Sequence, residues 1–215
     1  MNSRMAIESV PNQNPRRMPR QRRSSVTVEI ILEATLQILL RTGTSELTTT
    51  LVAERAGVSV GSLYQYFPNK QALFFAVNER YLDRLAARIE EVCLALHGAP
   101  YAAMAEGVIS EYIKIKMERY ELTHALYHAA EDIDVSEIVE TMCQRVEAAS
   151  QAMFATASDA TFQDLPALNM TLMNVLFGTV RTFFDRNSPE LLNRQLQEQL
   201  IILFCTSLRS GRRTL

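Results

Sequence analysis

Thr48-Thr-Thr-Leu-Val-Ala-Glu-Arg-Ala-Gly57-Val-Ser-Val-Gly-Ser-Leu-Tyr-Gln-Tyr-Phe-Pro-Asn-Lys70 reads as helix, tight turn, short helix, stop and new helix start. Thr48 or Thr49 suits an N-cap, because its hydroxyl accepts from an orphan amide of the first turn. Leu51, Val52, Ala53 and Ala56 give a narrow apolar face. Gly57 stands where the first helix must stop, and glycine adopts φ > 0 without a Cβ penalty. Ser59 caps a second helix predicted from Val60 to about Phe67, with Leu63 and Phe67 facing inward at a spacing of four. Pro68 cannot continue it, and Asn69 caps a third helix beginning at Lys70.

The side chains left over suit DNA. Gly61 and Ser62 are small, so backbone approaches closely. Tyr64, Tyr66 and Lys70 offer donors to phosphate, and such contacts position a protein without reading sequence. Gln65 pairs with adenine, Ser62 with several bases, and Val60 packs on a thymine methyl. Thr49 and Thr50, opening the first helix, are further candidates. The plainer reading is a helical hairpin in a bundle. Such a hairpin has no need of glycine, serine, tyrosine and lysine at all these places together, as a groove-docked helix does.

Ala53-Glu-Arg-Ala-Gly-Val-Ser59 and Gly61-Ser-Leu-Tyr-Gln-Tyr-Phe-Pro-Asn-Lys70 closely resemble the DNA-binding domain of TetR/AcrR-family regulators, over about residues 25 to 75. The resemblance implies a homodimer with a C-terminal ligand-binding core, usually a repressor released by a small molecule. By position it implies recognition contacts at Thr50, Val60, Gly61, Ser62, Gln65 and Tyr66. Tyr64 and Lys70 match the family's phosphate anchors. Tyr66 stands where many members have histidine.

Composition agrees. About half of the chain is apolar (47%), enough for a core, and no apolar run approaches a membrane span. Residues 1–24 lack the apolar segment of a secretory signal, so the expected compartment is the cytoplasm, with no membrane partner. Nine basic residues through Lys70 (Arg4, Arg16, Arg17, Arg20, Arg22, Arg23, Arg41, Arg55, Lys70) face five acidic ones (Glu8, Glu29, Glu33, Glu46, Glu54). The front is therefore basic and the rest acidic, within a net charge of −2. A basic front suits a phosphate partner.

The predicted fold is all-α. Residues 1–24 form a basic arm, disordered on its own, whose Arg22 and Arg23 can enter a minor groove or remain solvated. Residues 25–72 form a three-helix helix-turn-helix domain, and 73–215 a helical effector-binding and dimerisation domain joined through a long helix from Lys70 to Leu96. Val28, Ile31, Leu32, Thr35 and Leu39 make one face of the first helix, which runs from Ser25 or Thr27 to about Arg41. Further helices are predicted at about 101–117, 119–130, 135–157, 162–185 and 189–210. Two stripes in the last pair, Leu172, Leu176, Thr179, Val180, Phe183 and Leu196, Leu200, Leu203, Phe204, Leu208, are candidates for a four-helix dimer face. Burial within one subunit is the competing reading.

Met104, Tyr112, Met117, Tyr120, His124, Tyr127, His128, Met142 and Phe177 are candidate walls for a small apolar or amphipathic effector, with ordinary core packing as the alternative for each. His124 and His128, four apart, have metal-ligand spacing but no third ligand fixed by spacing, so no metal and no cofactor is expected. Cys93, Cys143 and Cys205 are odd in number and far apart, which suits buried reduced thiols. No nucleophile elbow, zinc-protease motif or phosphate loop is present, so an enzyme is not expected. The function read is a DNA-binding repressor released from a palindromic operator by a small molecule. The alternative is the same regulator controlled by a protein partner or acting constitutively. Pocket space in the second half separates the two.

Overall fold

A computed structural model describes residues 18–43, 46–130, 134–186 and 194–213. Their secondary structure is helical: α1 (Met18–Thr42), α2 (Thr49–Ala56), α3 (Val60–Tyr64), α4 (Lys70–Ala95), α5 (Tyr101–Glu118), α6 (Tyr120–Ala129), α7 (Ser136–Phe154), α8 (Leu165–Asp185) and α9 (Arg194–Ser210). One isolated antiparallel bridge, Phe162 to Arg212, ties the chain's end to the turn before α8.

The start of α1 differs from expectation. The helix begins at Met18, so backbone expected in the arm, including Arg22 and Arg23, is helical. Pro19 stands in the first turn, where a missing N–H costs nothing, and no breaker follows it. Residues 1–17, and the side chains of Arg22 and Arg23, lie outside the described residues.

The turn between α2 and α3 forms for the reason its glycine suggests. Gly57 has φ 67° and ψ 29°. Its N–H donates to the Glu54 carbonyl at 3.1 Å, and the Val58 N–H donates to Ala53 at 3.0 Å. Those are the two bonds of a Schellman motif, which satisfy carbonyls the helix end would leave orphaned. At the other end, Thr48 Oγ1 accepts from the Leu51 N–H at 3.1 Å. Val52 and Ala53 are buried, but Leu51, expected on the same face, is exposed. Short α3 is pinned by Leu63, which has no exposed surface. It ends at Tyr64, not Phe67. The Tyr66 and Phe67 amides both donate to the Leu63 carbonyl at 2.9 Å, a tightened last turn. Pro68 drives Phe67 out of the helical region, which stops propagation early.

Helix α4 joins the two halves. Asn69 Oδ1 accepts from the Ala72 N–H at 2.8 Å and starts it. Its 26 residues span about 40 Å without proline or glycine. The first turns bury Leu73, Phe74 and Val77 beside α1, and later turns bury Leu85, Ala86, Ile89 and Cys93. Ion pairs lash it sideways. Arg145 of α7 donates to both Glu90 oxygens at 2.8 Å and to Asp83 at 2.9 Å. Arg88 donates to Glu118 and to Glu111 of α5. Arg80 pairs with Glu29 of α1 at 2.5 Å.

The expected dimer stripes turn inward. Leu172, Leu176, Val180, Leu200, Phe204 and Leu208 are buried within this chain, so a partner removes no further water from them. Phe183 is half-buried, and only Leu203 of that set is exposed. The apolar groups that α8 and α9 leave in water are Met170, Ile202 and Leu203. The stripes face the chain's own core, through α5, α6 and α7.

Gly57→Ala should lower stability by about 1–2 kcal/mol, the cost of a Cβ in the left-handed region. An added Cβ there meets nothing within 4 Å, so the loss is conformational, not steric. Gly61→Ala, also unobstructed and without a positive φ, should be close to neutral. A urea midpoint unmoved by Gly57→Ala contradicts the turn.

Candidate nucleic-acid interface

α2, α3 and the first turn of α4 present one solvent-facing surface. Thr50, Val60, Gly61, Tyr64, Gln65 and Lys70 are exposed. Thr49, Ser62 and Tyr66 are half-buried. Tyr66 packs partly on the core, so less of it is available to DNA than of its neighbours.

Two hydroxyl contacts fix this surface. Thr49 Oγ1 and Tyr64 Oη lie 3.1 Å apart, tying the start of α2 to the end of α3. Ser59 Oγ accepts from the Ser62 N–H at 3.0 Å, and the two serine hydroxyls are 2.8 Å apart. Ser62 is thus half-committed to the cap, while Gln65, one turn on, has no such engagement and is exposed. Arg55 of α2 donates to Gln37 of α1 at 2.9 Å, which ties α2 to α1.

The candidate effector residues behave differently. Met104 and Met142 are core residues. Met117, Tyr120, His124 and Phe177 are half-buried, and His128 is exposed. Tyr120 stacks on Phe184 at 5.1 Å between centroids, and Tyr112 meets Phe177 at 5.3 Å. Tyr127, one of the nine, lines a cavity. That cavity, of about 40 Å³, lies between α4, α5, α6, α7 and α8. Its polar walls, Asn78, Tyr81, Lys116, Thr123 and Arg181, were not foreseen. One signal existed: the ladder Met104, Val108, Tyr112 continues at its next i+4 step onto Lys116. A second hollow, of about 150 Å³, opens where Leu32 and Leu36 of α1 meet α4, α5 and α6; Tyr81 lines both.

His124 Nε2 and His128 Nε2 are 3.0 Å apart, a hydrogen-bonded pair in which one ring must donate. Burial, then the neighbouring His128, lowers the His124 pKa. Among the described residues no group of three ligating side chains converges. Burial pushes the Cys93 thiol up to about 12 and Cys143 to about 11, which leaves both poor nucleophiles. No helix among the described residues is long and apolar enough to cross a membrane.

A reading pair on a three-helix head, carried by a long helix into a helical body, defines a helix-turn-helix transcriptional regulator. Residues 31–77 match the model for bacterial regulatory proteins of the tetR family, and residues 100–208 match the tetracyclin repressor-like C-terminal domain. The chain therefore belongs to the TetR family of DNA-binding transcriptional regulators. It is 42% identical over 71 residues to the transcriptional repressor KstR of Mycolicibacterium smegmatis, a match covering 33% of this chain and 34% of that protein. The chain thus matches about a third of that relative's length. A Rhodococcus transcriptional regulator superposes with TM-score 0.68 at 18% identity, covering 87% of this chain and 98% of its own. The multidrug binding protein EbrR, solved with imidazole, superposes with TM-score 0.61 at 18% identity, covering 84% and 94%. At such identities the likeness is one of fold.

Proposed function

We propose that this protein is a repressor that binds a two-fold DNA operator as a homodimer and leaves it when a small molecule enters the helical body. The carrying observation is the exposed surface of Thr50, Val60, Gly61, Gln65 and Lys70 on a turn made rigid by Gly57 and Leu63. Residues 25–72 act as the reading unit and 73–215 as the effector and dimer unit. Gln65 is the base reader, Val60 and Ser62 pack beside it, and Tyr64 and Lys70 hold phosphate, with Arg22 and Arg23 as added charge near the duplex. KstR's name as a repressor supports the sign of regulation. Regulation of transcription, not catalysis, is the role these features support.

Dimerisation uses the outward faces of α8 and α9, where Met170, Ile202 and Leu203 stand 51%, 56% and 45% exposed. A lone reading helix has too little contact for tight, specific binding. Two of them about 34–36 Å apart meet successive turns of the major groove. Effector binding shifts the population toward a state in which that spacing is wrong.

The cavity's small volume is the one feature favouring the second reading, control by a protein partner. The name of EbrR, a multidrug binding protein, and the polar lining of the cavity favour the first.

Fluorescence anisotropy on operator variants tests the contacts. Gln65→Ala should relax preference at one base pair by about 1–3 kcal/mol. Lys70→Ala should weaken all sequences alike and reduce the dependence on salt. The reverse pattern contradicts the assigned roles. Leu203→Arg should turn a dimer into a monomer in light scattering; a wild-type monomer at micromolar concentration defeats the dimer.

A further inference from the structure

Lys116 is 1% exposed, in the last turn of α5. Burying an ammonium is costly unless an opposite charge or hydrogen bonds replace its water. Among the described residues no carboxylate pairs with it. Three tyrosine rings surround it instead. Its Nζ lies 5.1 Å from the centroid of Tyr81, 5.5 Å from Tyr112 and 4.9 Å from Tyr127. Ring faces attract a cation but do not neutralise it.

The hydrogen bonds around it have a direction. The Thr123 hydroxyl donates to the Lys116 carbonyl at 3.1 Å. Tyr81 Oη therefore donates to Thr123 Oγ1, 2.9 Å away. A second cation stands nearby. The Arg181 guanidinium lies 4.4 Å from the Tyr127 ring and pairs with Asp185 at 2.7 Å. Arg181 thus has a carboxylate partner and Lys116 has none among the described residues. Burial, chiefly, lowers the Lys116 pKa, with Arg181 adding to the effect.

The cavity of about 40 Å³ opens against these groups. It has room for a head group of a few heavy atoms. Beyond Asn78 and Thr123 the wall is apolar, with Leu82, Leu126, Val135 and Val139. We propose that this cavity is an anion subsite, in which Lys116 and Arg181 receive the carboxylate of a small organic acid whose apolar part lies on those four side chains. The inference rests on the effector-released reading above and names the ligand's chemical class. A carboxylate suits the site better than phosphate, because phosphate has no apolar part for that wall.

The same arrangement supplies a route to the reading head. An anion on Lys116 competes with the Tyr81 ring face, 5.1 Å away, for the ammonium. Tyr81 is on α4 and also walls the hollow where Leu32 and Leu36 of α1 meet it. Tyr81 is a positioning residue: it joins what happens at Lys116 to the contact between α4 and α1.

Acetate tests the site, with acetamide as its neutral isostere, on the full chain at constant ionic strength. Acetate should raise the melting temperature saturably and move one lysine side-chain NMR signal; acetamide should do neither. Lys116→Met, checked for folding by circular dichroism, should lose that signal and the acetate response. Replacing a buried unpaired charge by an apolar side chain of similar length favours folding. Arg181→Gln, at the half-exposed mouth, should weaken the response without abolishing it. Equal action of acetate and acetamide, or an acetate response that survives Lys116→Met, overturns the subsite. Acetate binding with unchanged DNA affinity supports the subsite and removes its effector role. Release of DNA by a neutral compound, with no acetate binding, does the opposite.

Discussion

The continuity of α4 is the constraint on which the rest depends. Its first turn carries Lys70 beside the exposed surface of α2 and α3, and its first two turns bury Leu73, Phe74 and Val77 against the head. Its later turns are core to the helical body, where Arg145 and Arg88 bind it on two sides. With no proline or glycine inside, it has no kink at which a displacement dissipates. Ile89 in the body and Lys70 at the head thus lie on one unbroken helix. The exposed ion pairs hold orientation more than they add stability, since such pairs are worth about 0–1 kcal/mol each.

The head was legible because its signals are local. Gly57, Ser59, Leu63, Pro68 and Asn69 each have one conformational job, and the Schellman turn, the two caps and the buried pin all follow from them. Where two signals competed, the reading slipped. Pro68 acts on the residue before it, so α3 ends at Tyr64. Pro19 is tolerated in a first turn, so α1 begins at Met18, inside the expected arm.

The body was legible in outline and less so in detail. Helical periodicity located α5 through α9 but cannot say which neighbour a stripe meets. Leu176 and Phe204 fit a dimer seam or a monomer core equally by pattern, and the core took them. Lys116 escaped notice for the same reason. A lysine at the next step of an apolar ladder is ordinarily a side chain that snorkels to water. Only the surrounding tyrosines on α4, α5 and α6, brought together by the fold, reveal that it does not. A buried unpaired ammonium costs stability, and the proposed subsite gives that charge a partner.

The account's central claim is that α4 carries an exposed reading surface which meets DNA in two-fold pairs. Selection of binding sites by the full chain from a random double-stranded DNA library tests it most directly. The account predicts an enriched palindrome whose half-sites are centred about 10–10.5 base pairs, or a multiple of that, apart. Enrichment of a single asymmetric site, or of none, contradicts it.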